Sequence, residues 1–254
     1  MRTFVRLLLV VLMLTACGKK GPLIYPDMLL PAPPTAVTVR QVGQAMKISF
    51  VLNRKDRSGR DLKNLDGVTI FKRTTIAGQA PGCNACSEDF VLFRKLYLEP
   101  APLESGVQRF GGMLLLLDSD VRIGDQYSYT VKPFTKDAVD GQASAPVTTA
   151  MVAPPPAPEL KAVPDPVEIQ LLFSSVPPGQ GTFVGYNLYR APKGDHLPYV
   201  ALNREPISGK SFTDSGLDRK LSYVYVVRSV VRMPGGQLVE SELSNEVVTR
   251  LTDE

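Results

Sequence analysis

Apolar residues recur at every second position over several short stretches of this chain. From Ala45 to Leu52, Met46, Ile48, Phe50 and Leu52 alternate with polar or small neighbours, the period of a half-buried strand. Val68-Thr69-Ile70-Phe71 and the stretch from Tyr127 to Phe134 are β-branched and aromatic runs, which also favour strands. Further on, 167–173, 183–189, 221–231 and 246–251 have the same character. Pro177-Pro178-Gly179-Gln180-Gly181, Asp214-Ser215-Gly216 and Pro234-Gly235-Gly236 punctuate them as turns. Short strands separated by regular turn signals predict an all-β sandwich architecture. No long stretch of period 3.6 follows the N-terminal segment.

Two segments break the strand pattern. Residues 18–34 are rich in Pro and Gly and lack periodicity. They are expected to act as a tether, with an extended reach on the order of 55 Å. Ala153-Pro154-Pro155-Pro156-Ala157-Pro158 lies near the middle. Proline runs favour stiff polyproline II spacers, so this cluster is the expected domain boundary.

The first residues carry another signal. Arg2 and Arg6 precede an apolar run from Leu7 to Leu14, followed by Thr15, Ala16 and Cys17. A basic start, a short apolar core and small residues before a cleavage point define a secretory signal. The run is shorter than the roughly 20 residues of a transmembrane helix. One reading is an ordinary secretion signal with Cys17 incidental. However, Leu14-Thr15-Ala16-Cys17 resembles the bacterial lipobox. That resemblance implies a diacylglyceryl group on the Cys17 sulfur, cleavage before it, and a palmitate-type acyl chain on the new amine. Multiple acyl chains make a stable anchor where one is marginal. Gly18 stands where Asp would be the family's inner-membrane retention signal, which implies the outer membrane, facing the periplasm.

Removing sixteen of the 254 residues leaves 238 and lowers the net charge from +4 to +2, because Arg2 and Arg6 depart. A nearly neutral chain of that length suggests one or two domains and no nucleic-acid partner. The 22 prolines suit strands, turns and linkers better than helices.

The second half resembles the fibronectin type III domain over about residues 158–252. Gly185-Tyr186-Asn187-Leu188-Tyr189-Arg190 is similar to its strand C, and Ser211-Phe212-Thr213-Asp214 to its strand E. Leu217 stands six residues before Tyr223, the spacing of the tyrosine corner. Residues 240–247 resemble the last strand. The family's strand-B tryptophan is absent, and Phe173 is expected in its place. The first half repeats the plan more loosely: Val121 precedes Tyr127 by six, and Pro33-Pro34 opens it. A long insertion lies between Lys72 and Met113. The expected fold is therefore two tandem fibronectin type III-like, immunoglobulin-like sandwiches. The expected layout is a signal peptide at 1–16, a lipidated tether at 17–34, a first domain with insertion at 35–152, a Pro-rich linker at 153–157 and a second domain at 158–252.

Candidate chemistry is sparse. Cys83-Asn84-Ala85-Cys86 is a CxxC in a loop. In an oxidising compartment it suits a disulfide. A thioredoxin-like redox site would want a helix N-terminus to lower the thiol pKa, and no helix is predicted there. A metal site needs more ligands, and a c-type haem would want His where Ser87 stands. Arg54, Lys55, Arg57, Arg60 and Lys63 crowd one loop between Leu52 and Leu65, with Asp56 and Asp61 among them. A solvated loop is one reading. The other is a contact with anionic head groups or a partner, because the B–C pole of such a sandwich lies nearest the tether. His196 sits in a turn. No Ser–His–Asp context or Walker spacing is present, Gly111-Gly112 included. Glu88-Asp89 is an acidic pair with nothing to mark it. No enzyme and no cofactor beyond the covalent lipid on Cys17 are expected.

The ten residues Cys17-Gly18-Lys19-Lys20-Gly21-Pro22-Leu23-Ile24-Tyr25-Pro26 resemble the start of small outer-membrane lipoproteins associated with lipopolysaccharide transport. That resemblance implies contact with the translocon; a generic tether is the alternative. The expected function is a membrane-anchored envelope module that binds or scaffolds a protein or glycan partner. The rival is an envelope redox protein using Cys83 and Cys86.

Overall fold

A computed structural model describes residues 23, 25–79, 89–99, 103 and 105–253. In chain order its strands are β1 (Thr35–Val42), β2 (Ala45–Val51), β3 (Leu65–Thr75), β4 (Val91–Tyr97), β5 (Val107–Phe110), β6 (Met113–Asp118), β7 (Gln126–Thr135), β8 (Val147–Ala150), β9 (Glu159–Pro164), β10 (Glu168–Ser174), β11 (Thr182–Pro192), β12 (Ser211–Ser215), β13 (Tyr223–Arg232), β14 (Leu238–Glu240) and β15 (Val247–Thr249). A single 3-10 turn, Pro26–Leu29, precedes them.

In β2 the expected alternation is realised. Met46, Ile48 and Phe50 are fully buried, and the residues between them are half-exposed. In β10, Ile169, Leu171 and Phe173 point inward in the same way. Phe173 packs on Tyr186 with ring centroids 4.7 Å apart, filling the strand-B core position that lacks tryptophan.

In the N-terminal sandwich β1, β2, β6 and β5 face the sheet β4-β3-β7-β8. Met46, Phe50, Ile70, Leu114, Leu116, Tyr129 and Val131 form its core. In the C-terminal sandwich β9, β10 and β12 face β11, β13, β14 and β15. Its core contains Leu160, Ile169, Leu188, Tyr225 and Val227. Both corner tyrosines are buried. The Tyr127 hydroxyl accepts the Arg122 N–H at 2.7 Å, and the Tyr223 hydroxyl accepts the Asp218 N–H at 2.9 Å.

The last strand of each sandwich is interrupted by serine rather than running straight. In the N-terminal one, Ser144 gives its N–H to the Val131 carbonyl and accepts the Val131 N–H on its hydroxyl. Ser244 does the same with Val227. Each hydroxyl stands in for a carbonyl that the kinked chain carries away from the ladder, so no buried N–H is orphaned.

The two sandwiches share one sheet. β14 pairs in parallel with β1, Gln41 opposite Val239 and Val42 opposite Glu240. This joins the first sheet of the N-terminal sandwich to the second sheet of the C-terminal one in an eight-stranded sheet. The proline linker is packed rather than free. Pro155 and Pro158 are buried, the Ser229 hydroxyl donates to the Pro156 carbonyl, and Ala153 to Pro156 lie against Pro178-Gly179-Gln180 and Met233.

The later half of the expected tether is also held. Ala32 N–H bonds to the Lys55 carbonyl, Arg57 N–H to Leu30, Ser58 N–H to Met28, and Gln142 N–H to Pro31. Residues 25–34 thus lie between the B–C loop (52–64) and the F–G loop (136–146) of the N-terminal sandwich. Backbone groups that a free tether would leave to water find partners there instead.

Candidate functional site

Two places gather polar chemistry: the tether pole of the N-terminal sandwich and the junction between sandwiches.

At the pole, Asp56 organises the basic loop. Its carboxylate, itself buried, accepts the N–H and hydroxyl of Ser58 at 2.8 and 2.7 Å and the Arg60 N–H at 2.9 Å. The Ser58 hydroxyl foremost, aided by these N–H groups, holds its pKa below the ordinary carboxylate value. Around this turn Arg54, Lys55, Arg57, Arg60 and Lys63 are all exposed. Two of them are paired. Arg57 reaches Asp27 at 3.2 Å, and Lys55 reaches Asp61 at 3.8 Å. Exposed pairs of this kind contribute little to stability. Leu23, Tyr25 and Leu29 are exposed apolar side chains of the incoming chain, which meets the loop through Asp27, Met28 and Leu30. The structure therefore places all five basic candidates on one pole, with the incoming chain against them.

The junction is a set of residues that the sequence reading did not single out. Lys47 on β2 lies 3.6 Å from the Glu240 carboxylate and donates to the Tyr199 carbonyl at 3.1 Å. The Tyr189 hydroxyl donates to the other oxygen of Glu240. Glu240 also gives its backbone carbonyl to the Gly43 N–H at 2.9 Å. Gln108 on β5 holds the loop after β11 at two points: its amide donates to the Leu197 carbonyl at 2.8 Å and accepts the Tyr199 N–H at 2.6 Å. Gln41 clasps the start of the linker through both the N–H and the carbonyl of Val152. Burial lowers the pKa of Lys47; Glu240 opposes that shift, and Arg228 and Arg40 add to it. Burial, with Glu240, raises that of Tyr189 well above its usual value. Lys47, Tyr189, Tyr199 and Arg228 line a cavity of about 170 Å³ with Leu117, Leu197 and Pro198.

Each sandwich also buries an aspartate bonded to a tyrosine and a cation. Asp118 accepts the Tyr129 hydroxyl at 2.6 Å and pairs with Lys72 at 2.7 Å. Asp214 accepts the Tyr225 hydroxyl at 2.7 Å and both oxygens meet Arg190 at 2.8 Å. Lys72 and Arg190 each cover the ring of the corner tyrosine, 4.8 and 5.4 Å from its centre. Burial first, then the carboxylate, raises the pKa of Tyr129 and of Tyr225. The carboxylate oxygens and the Tyr129 and Tyr225 hydroxyls of these clusters are all engaged within the fold, so the clusters serve the fold.

Cys17, Cys83 and Cys86 lie outside the described residues, as do residues 1–16. His196 is exposed in its turn. Among the described residues no group of three His, Cys, Asp or Glu side chains is placed to hold a metal. None of the described helices is long and apolar enough to cross a membrane. Only the basic loop had a sequence signal, its charge density. The junction residues meet across 152 positions for Lys47 and Tyr199 and 111 for Gln41 and Val152. In the sequence Lys47 reads only as a polar position of an alternating strand.

No protein-family model matches the chain, and no curated protein matches it. Among solved structures, the chicken CNTN1 FN1–FN3 domains are similar over 88% of this chain and 68% of that one, at 14% identity and a TM-score of 0.31. The strand order defines the class: an all-β protein of two fibronectin type III-like sandwiches in tandem, each with an A–B–E sheet facing a C–F–G sheet and each with a tyrosine corner. A fold of this kind is compatible with binding or scaffolding.

Proposed function

We propose that this protein is a lipid-anchored module of a bacterial envelope, held on the periplasmic side of the outer membrane, that binds or scaffolds an envelope protein or glycan. The observation that carries the reading is Leu14-Thr15-Ala16-Cys17-Gly18 after a basic and apolar leader. Cys17 and Tyr25 are eight positions apart, and Tyr25 stands two before Asp27, which pairs with Arg57 of the basic loop. Eight extended residues span about 26 Å. The pole with Arg54, Lys55, Arg57, Arg60 and Lys63 then stays near the membrane surface, where each basic side chain contributes about 1 kcal/mol against anionic lipid. The C-terminal sandwich, docked on the N-terminal one through β14, is presented away from that surface as a rigid arm. Rigid sandwiches carrying loops and edge strands suit protein and glycan contacts. The similarity of residues 17–26 to lipopolysaccharide-transport lipoproteins makes that machinery the first partner to test.

Fractionation of cells carrying Cys17→Ser tests the anchor. The variant is expected to be unprocessed or soluble; an unchanged, acylated membrane pool would refute the reading. Thiol labelling of the purified protein separates binding from redox chemistry. An oxidised, inert Cys83/Cys86 pair fits the binding module, and a reduced pair with fast exchange would transfer the assignment to an envelope redox protein.

A further inference from the structure

β14 pairs with β1 only at Gln41 and Val42. Before Gln41 the two strands part, and a cleft of about 500 Å³ opens between them. One wall is β1 and β8 of the N-terminal sandwich, with Arg40, Thr148 and Thr149. The other is the end of β13 and the following turn, with Arg232, Gly235 and Gly236. Arg40 and Arg232 are exposed, and no acidic residue is among those that line the cleft. Among the described residues, neither guanidinium has a hydrogen-bond or ion-pair partner. The surrounding field has the same sign. Lys47 stands opposite Arg40 in the β1–β2 ladder, and Arg228 lies two turns of the pleat before Arg232 on β13. Glu240, the carboxylate that meets Lys47, is already engaged by Lys47 and Tyr189, and that of Glu242 accepts the Gln44 N–H. Gly235 and Gly236 keep the turn bare of side chains: a Cβ on Gly236 would meet nothing within 4 Å. A ligand can therefore approach the main chain there.

From this geometry we infer that the inter-domain cleft is a binding site for a phosphoryl group. Two guanidiniums on opposite walls, the Thr149 hydroxyl and an open glycine turn match an oxyanion with several acceptor oxygens. Arginine forks pair with phosphate through two parallel hydrogen bonds. The volume accepts a group of the size of a phosphorylated monosaccharide, within the usual range of ligand sites. The cleft lies at the end of β1 away from the tether loop. At about 3.3 Å per residue β1 spans about 26 Å, which sets the cleft apart from the basic pole. The inference does not depend on lipidation of Cys17.

The test is an amide-shift titration of the soluble Cys17→Ser chain with inorganic phosphate, with glucose 6-phosphate, and with phosphatidylcholine vesicles with and without phosphatidic acid. Saturable shifts at Arg40, Thr149 and Gly236 are expected with the soluble phosphates. Arg40→Ala and Arg232→Ala, both at exposed positions, should each weaken binding about tenfold, roughly the loss of one charge-assisted pair. Lys161→Ala, an exposed cation on β9, should leave it unchanged. Saturation by phosphatidic acid vesicles alone, lost in the same two variants, would keep the phosphoryl site and assign its source to a lipid head group. Shifts spread over the basic loop with the soluble phosphates, or binding indifferent to both arginine substitutions, would overturn the inference.

Discussion

In the N-terminal sandwich Lys72 meets Asp118 at 2.7 Å with side chains 9% and 1% exposed; in the C-terminal one Arg190 meets Asp214 at 2.8 Å with side chains 28% and 7% exposed. The rest of the two clusters is the same: a C-strand cation over the corner tyrosine, an E-strand aspartate, and a second F-strand tyrosine donating to it. One sandwich therefore seals its ion pair, and the other leaves the guanidinium partly in water. Outside the cores the two diverge further. The N-terminal sandwich continues from β3 into an edge strand, β4. The C-terminal one has no strand between β11 and β12; its loop crosses over to Gln108 and Lys47 of its neighbour. The shared cluster holds each fold, and the unshared C–E region decides what the sandwich touches.

The sharpest way to break the comparison is to remove each aspartate. Asp118→Ala strands a sealed ammonium, and a loss of about 3–5 kcal/mol is expected in denaturant unfolding, the cost of breaking a buried pair. Asp214→Ala should cost less, about 2 kcal/mol, because Arg190 retains access to water. Equal losses would show that the difference in exposure carries no energetic weight.

High pH probes the same clusters and the junction together. Tyr127, Tyr129, Tyr189 and Tyr225 all have raised pKa values, burial being the largest cause in each. Above about pH 10 the unfolded chain releases these phenolic protons while the native state keeps them. Stability should then fall by about 1.4 kcal/mol per pH unit for each such group. Lys47 acts oppositely. Its pKa is depressed on folding, so it adds stability as the pH rises from its native pKa to about 10.5, and nothing beyond. Phenolate absorbance should show these four of the nine tyrosines ionising only as the protein unfolds.

Glu240→Ala targets the junction alone. Lys47 would lose its carboxylate partner and Tyr189 its acceptor, and about 2 kcal/mol of coupling between the sandwiches is expected to disappear. Calorimetry should then resolve two transitions where the parent protein shows more cooperative unfolding. Smallest are the corners. Tyr127→Phe and Tyr223→Phe should each cost about 0.5–1.5 kcal/mol, one net hydrogen bond, and by similar amounts in the two sandwiches.

Much of this was written in the sequence. Alternation in Met46, Ile48 and Phe50 and the six-residue spacing before Tyr127 and Tyr223 led to strands and corners that the structure contains. A stronger repeat was also legible. Asp118 and Asp214 each stand nine residues before the corner tyrosine and eleven before the second, and Gly67 and Gly185 each stand five before the C-strand cation. β6 was missed because Met113-Leu114-Leu115-Leu116-Leu117 is a continuous apolar run without alternation, which alone does not separate strand from helix. The docking of residues 25–34 and of the proline linker was not legible, because proline content speaks for stiffness and not for docking. Pro31 and Pro155 are held by loops distant in the chain. The cleft at Arg40 and Arg232 was illegible for the same reason, since its walls belong to different sandwiches.

Native-state hydrogen exchange at Gly43, Tyr199 and Val152 tests most directly whether the sandwiches form one continuous body. The Gly43 amide is bonded to Glu240 and that of Tyr199 to Gln108, each across the junction; that of Val152, at the start of the linker, is bonded to Gln41. If the shared sheet exists in solution, all three should be protected as strand amides such as Val131 are. Exchange of Gly43 and Tyr199 at the rate of open turns, with Val131 and Val227 still protected, would contradict it and leave two separate sandwiches on a proline string.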